Sequence, residues 1–91
     1  MMTADEKKDY WLVVRECLIV FHGVSKNQAM RMAVSLRREI ESAEPEIRID
    51  VFYHNEPFDV ACDIMGRQID MNEETFNICK QILLGKSSQV H

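Results

Sequence analysis

Apolar residues in the first part of the chain recur at the spacing of a helix. From about Thr3 to His22 they share one stripe at about 100° per residue. The stripe is formed by Tyr10, Trp11, Val14, Cys17, Leu18 and Phe21. Thr3 or Asp5 can cap the start, and His22 followed by Gly23 suits a left-handed end. The pattern predicts a first helix over this segment.

The same segment is apolar well beyond that stripe. Leu12, Val13, Ile19 and Val20 lie outside it, so the predicted helix must be central in the fold or shared with a partner subunit. The β-branched residues also suit a strand over 17–21, which would open a β-α-β unit when a glycine and a helix follow. An α/β fold is therefore the alternative.

The clearest helical pattern runs from Ser25 to Ala43. Ser25 and Gln28 have capping-box spacing, and Glu44 followed by Pro45 ends the helix. The apolar stripe consists of Ala29, Met32, Ala33, Leu36 and Ile40. This amphipathic pattern predicts a second helix that buries one face.

Beyond the second helix the apolar period changes from helical to alternating. Ile47, Ile49, Val51 and Tyr53 occupy every second position, which predicts a short extended segment near 47–53. A single strand is not stable alone. It would pair with residues 68–71, with the first segment, or with a second copy.

Two further helices are predicted downstream. Pro57 suits the first turn of a helix that reaches Met65, and Asn72 can cap another over 73–84. Their inward residues would be Phe58, Ala61, Cys62 and Met65, and then Phe76, Cys79, Ile82 and Leu83. The fold class we expect is all-α, a four-helix domain over 1–85 with a short extended connector. Residues 86–91 have no apolar periodicity and are predicted to be a disordered tail.

Composition narrows the class of protein. Among 91 residues, 46% are hydrophobic and 29% are charged, which is typical of a folded globular domain. The net charge of -4 disfavours nonspecific binding to nucleic acid or anionic membranes. Three cysteines without a C-x-x-C pair, and the lack of a long apolar run, favour a reduced, cytoplasmic protein with no membrane segment.

Surplus apolar surface gives the leading functional hypothesis, which is a noncatalytic protein-interaction or regulatory module that self-associates as a homodimer. Leu12 and Ile19 lie off the stripe of the first helix, and Met30 and Val34 lie one turn apart beside the stripe of the second. Apolar residues in such places mark protein contacts. These four residues are the predicted interface.

The alternative function is a helix-turn-helix-like DNA-binding regulator. A glycine turn leads into the helix over 25–43, on which Asn27, Arg31, Ser35 and Arg38 share one arc opposite the apolar stripe. That helix has four basic residues against two acidic ones, a net charge of only +2.

A small metal-binding protein or enzyme is the second alternative. Asp59 and Asp63 share a helix face, with His54 and Glu56 just upstream. An exposed pair of carboxylates is ordinarily a solvated surface, and thiols on apolar stripes are ordinarily core residues. The sequence therefore assigns no catalytic residue, metal ligand or cofactor.

Overall fold

The computed structural model describes residues 3–43 and 46–88. Its helices are α1 (Ala4–His22), α2 (Lys26–Ala43), α3 (Glu46–Phe52), α4 (Pro57–Met65) and α5 (Glu73–Ser88). No strand occurs in these two ranges. The all-α fold class is thereby confirmed, and the α/β alternative, with a strand over 17–21, is wrong because those residues lie inside α1.

Side chains and glycines fix the ends of the first two helices. Thr3 caps α1 in a capping box with Glu6, and the Ser25 hydroxyl accepts a hydrogen bond of 3.2 Å from the Gln28 amide at the start of α2. Gly23 ends α1 in the left-handed conformation, with φ 68°. The two helices are thus joined by a three-residue turn and pack against each other as an antiparallel hairpin.

Helix α1 is the centre of the fold. It packs against α2, α4 and α5, and the core residues Val14, Cys17 and Leu18 are almost completely buried. Val13, which lies outside the predicted stripe, is buried as well. The broad apolar circumference of α1 is explained by its three helical neighbours.

The predicted extended segment near 47–53 is wrong, because residues 46–52 form α3. Ile49, Phe52 and Tyr53 all face the core, and their spacing of i, i+3 and i+4 is helical. Val51, which alternation would have placed with them, is 62% exposed. A lone strand would leave its backbone groups unpaired, whereas a helix satisfies them internally. A segment with no neighbouring strand therefore folds as a helix.

Helix α4 has the predicted limits and ends at Gly66, with φ 63°. Helix α5 begins after Asn72, whose side chain accepts a hydrogen bond of 2.8 Å from the Thr75 amide. It continues to Ser88, so residues 86–88, which the predicted tail included, are helical, and 89–91 lie outside the described residues. None of the described helices combines the length and apolarity needed to cross a membrane.

The buried face of α5 differs from the predicted one. Thr75 is buried, and Cys79 and Ile82 pack against the core. Phe76 and Leu83, which were predicted to face inward, are 58% and 53% exposed. Cys79 and Ile82 face inward as predicted, so the buried stripe is shifted toward Thr75 and away from Phe76 and Leu83 by less than one residue step of about 100°.

Candidate functional site

A groove runs along the seam between α1 and α2. Its volume is about 200 Å³. It is lined by Lys8, Trp11, Leu12 and Arg15 from α1 and by Met30, Ala33, Val34 and Arg37 from α2. The floor is apolar and the rim is basic, since the lining includes three cations and no acidic residue. We call this feature the α1/α2 groove.

Three of the four predicted interface residues meet in this groove. Leu12 is partly buried, while Met30 and Val34 are 48% and 41% exposed. Ile19, the fourth, packs against the core and does not line the groove. Two exposed apolar side chains of α2 therefore lie beside the partly buried Leu12 of α1, and exposed apolar residues that adjoin one another are typical of a protein contact site.

The Trp11 wall of the groove is held by a chain of hydrogen bonds. The Trp11 indole donates to the Tyr53 hydroxyl at 2.8 Å, and that hydroxyl donates to Glu41 Oε1 at 3.0 Å. The same carboxylate oxygen accepts from Arg37 Nε at 3.3 Å. Trp11 lies on the α1 wall of the groove and Arg37 lies on the α2 wall. This series of hydrogen bonds therefore fixes the position of one wall residue relative to the other.

Aromatic packing supports the same wall from behind. The Trp11 and Phe52 rings are stacked, with centroids 5.7 Å apart, and Tyr10 meets Tyr53 edge to face at 5.0 Å. The Tyr10 hydroxyl donates to the Asn55 carbonyl at 2.8 Å. Burial is the main cause that raises the pKa values of Tyr10 and Tyr53. These closely packed rings support the Trp11 wall and give the groove a fixed shape.

The basic rim has a defined arrangement. Arg15 lies 3.5 Å from Glu16, and Arg37 pairs with Glu41, with all four side chains only partly exposed. Since α1 and α2 are antiparallel, Lys8 and Arg37 lie toward one end of the groove, and Arg15 and Met30 lie toward the other. Because Arg15 and Arg37 are each paired with a glutamate, the rim charge left without an ion pair in the described residues is that of Lys8, which lies at the end farther from the turn.

The groove is small for a cofactor but suits side chains. Small-molecule sites usually have volumes of about 300–1,000 Å³, whereas this groove has about 200 Å³. A volume of this size accommodates one or two apolar side chains of a docked helix, as in helix-in-groove recognition. A second depression, of about 590 Å³, is lined only by residues 72–81 of the α5 segment, so no second element contributes groups to it.

Helix α5 carries an exposed apolar surface that the sequence did not reveal. Phe76 and Leu83 lie seven residues apart on one side of the helix, and both are more than half exposed. We call these two residues the α5 stripe. Asp70, Glu73 and Glu74 precede it in the sequence and are exposed. The sequence carries no clear signal for this surface, because Thr75, which is buried on the core-facing side of the helix, is a polar residue.

The residues predicted to face nucleic acid are all exposed on the outer side of α2. These residues are Asn27, Arg31, Ser35 and Arg38. They lie on the solvent side of the hairpin and do not line the groove. The four residues share one exposed surface of α2.

The thiols and carboxylates considered for chemistry have ordinary environments. Cys17 and Cys62 are almost fully buried, and burial raises the pKa of the Cys17 thiol to about 12. Asp59 and Asp63 are exposed. Within residues 3–43 and 46–88, no group of three or more His, Cys, Asp or Glu side chains is arranged to hold a metal ion.

Comparison with known proteins identifies no relative. No protein-family model, no curated protein and no solved structure matches this chain. Function is therefore inferred from the geometry of the α1/α2 groove.

Proposed function

We propose that the chain is a protein-interaction module that binds an amphipathic helix of its partner in the α1/α2 groove. The observation that carries this proposal is one groove with an exposed apolar floor and a basic rim. Met30 and Val34 form the exposed part of the floor, and Lys8, Arg15 and Arg37 form the rim. Apolar anchors supply most of the affinity at such surfaces, and charges set orientation and specificity.

The length of the groove supports a helical ligand. Lys8 and Arg15 are seven residues apart on α1, and Met30 and Arg37 are seven residues apart on α2. Each interval corresponds to about 10 Å along a helix axis. A bound helix that lies along the seam would contact the floor with side chains at i, i+3 or i+4, and i+7. Acidic residues beside these anchors would face the basic rim.

Selection from a displayed library of helical peptides tests the proposal. The library is panned against the purified protein, and each enriched peptide is then measured by fluorescence anisotropy. We expect apolar anchors flanked by Asp or Glu, and we expect Val34→Glu to weaken binding at least about tenfold, as for loss of an interface anchor.

A matched control separates the groove from a general charge effect. Ser35→Glu adds the same charge one position away, at an exposed residue that does not line the groove, and should leave binding unchanged. The proposal fails if no helical peptide is enriched. It also fails if Val34→Glu and Ser35→Glu reduce binding equally.

We further infer that the module works in a reducing, cytoplasmic compartment. The three cysteines are free thiols, and two of them are buried in the core. Reducing compartments keep thiols in this form. Fractionation of cells that make the protein should recover it with cytosolic markers, and recovery with secreted or membrane-bound material would contradict this location.

A further inference from the structure

We infer that the helix bound in the α1/α2 groove is α5 of a second copy of this chain. This inference rests on the proposed function, because it names the occupant of the same groove. The chain presents both halves of the contact. The groove has an apolar floor and basic rim, and the α5 stripe is apolar and preceded by acidic residues.

The two surfaces match in length. Phe76 and Leu83 are separated by seven residues, or about 10 Å along α5. Lys8 and Arg15, which mark the extent of the groove on α1, are separated by the same number of residues. Phe76 provides a large aromatic anchor, and aromatic side chains are enriched among the residues that dominate binding.

The charges also match and they set a direction. Three exposed acidic residues, Asp70, Glu73 and Glu74, precede the α5 stripe, and one exposed cation, Lys80, lies between Phe76 and Leu83, so the acidic charge is confined to the start of the helix. At the end of the groove farther from the turn, Lys8 forms no ion pair in the described residues, while Arg37 is already paired with Glu41. Opposite charges fix the orientation of partners. The acidic start of α5 would therefore lie at that end, with Leu83 toward Arg15 and Met30.

The occupant must come from another molecule. Within one chain, α5 packs against α1 through its other face, which includes Thr75 and Cys79. A contact between two grooves about a two-fold axis would bring the basic rims together, and like charges oppose such pairing. A groove-to-α5 contact joins two different surfaces and is therefore heterologous. Two copies can form a closed dimer in which each docks its α5 stripe in the groove of the other, or copies can add head to tail into a longer assembly.

Sedimentation velocity over a range of concentrations tests the inference with the full chain. The wild-type protein should self-associate. Phe76→Glu and Val34→Glu should each weaken the association at least about tenfold. The control for Phe76→Glu is Gln81→Glu, which adds the same charge at another exposed position of α5 and should behave as wild type.

Mixing the two defective variants provides the decisive measurement. The Phe76→Glu chain keeps an intact groove and the Val34→Glu chain keeps an intact α5 stripe. Their mixture should therefore associate more tightly than either variant alone. Thermal unfolding checks that each variant remains folded.

The outcomes separate this inference from the proposed function. A wild-type monomer at every concentration overturns the second copy as occupant, yet the peptide selection would still show whether the groove binds helices. Association that Phe76→Glu leaves unchanged, or a mixture no tighter than its components, overturns the inference too. If the library yields no helical peptide but the mixture of variants associates, the proposal of a general helix-binding module is wrong. The contact between the groove and α5 of a second copy is then supported as a dedicated self-association contact.

Discussion

The indole N–H of Trp11 donates a hydrogen bond of 2.8 Å to the hydroxyl of Tyr53, which lies 42 positions further along the chain. The bond joins α1 to the turn after α3 and is buried. Because the Tyr53 hydroxyl also donates to Glu41 on α2, one side chain connects three parts of the fold. Its removal should therefore affect both stability and the groove.

Tyr53→Phe should lower the free energy of unfolding by about 1–3 kcal/mol. The substitution keeps the ring but leaves the buried Trp11 N–H without its acceptor, and such an unsatisfied donor carries a cost of that order. Denaturant titration followed by far-ultraviolet circular dichroism measures the change, because Trp11 is the one tryptophan of the chain and the double variant lacks it. Tyr53→Phe combined with Trp11→Phe removes both partners, so a loss in the double variant that equals the sum of the single losses would show that the hydrogen bond contributes nothing.

Gly23→Ala should destabilise the protein by about 1–2 kcal/mol, because a side chain is strained in the left-handed conformation. Gly23 has φ 68° and no other atom within 4 Å of an added Cβ, so backbone strain is the only cost. Gly85→Ala is the matched control, since Gly85 lies within α5 and also has free space around it. It should stabilise the helix by up to about 1 kcal/mol. Thermal unfolding that shifts in the same direction for both variants would contradict this explanation.

Stability should fall as the pH rises above about 9. Burial raises the pKa of Cys17 from 9.0 to about 12. Between these values the unfolded chain loses the thiol proton and the folded chain keeps it, so a rise in pH favours unfolding. The buried Tyr10, with its raised pKa, acts in the same direction from about pH 10.

Denaturant titrations at several alkaline pH values measure this effect. Cys17→Ala should be less stable throughout because it leaves a cavity, but its stability should fall less steeply with pH. Equal slopes for the two proteins would show that Cys17 does not contribute to the alkaline loss.

Duplex DNA should not bind in a salt-dependent manner through α2. The chain has a net charge of -4, and salt-sensitive binding requires several cations that release counterions from phosphates. Fluorescence anisotropy of a labelled duplex at increasing salt checks this expectation. Binding that weakens with salt and is reduced by Arg31→Ala with Arg38→Ala would instead support the DNA-binding alternative.

Local signals predicted most of the helices. Thr3, Ser25, Asn72 and the glycines at 23 and 66 specify helix ends by hydrogen bonds within a few residues. Such contacts depend on neighbours in sequence, so the sequence alone is enough to recognise them. The same was not true of α3, where alternation at 47–53 resembled a strand but the fold offered no partner strand.

The site was only partly predictable for a related reason. Leu12, Met30 and Val34 were identified because they are apolar residues outside a core stripe, and they meet in the groove. The basic rim depends on the alignment of two helices, which no local pattern specifies. The α5 stripe was missed because the burial of Thr75 is decided by tertiary packing, and a threonine gives little reason to expect it.

The turn between α1 and α2 has a consequence for how quickly a ligand can bind. The Gly23 and Val24 amides donate to the Ile19 and Leu18 carbonyls at 3.2 and 3.3 Å, and Val24 is buried. These bonds end α1, and the buried Val24 anchors the three-residue turn in the core, so we expect the two walls of the groove to keep one separation and an incoming helix to meet no slow opening step. The association rate constant should be that of ordinary docking of two specific surfaces, about 10⁵–10⁷ M⁻¹s⁻¹. Differences in affinity among ligands should therefore arise from their dissociation rates.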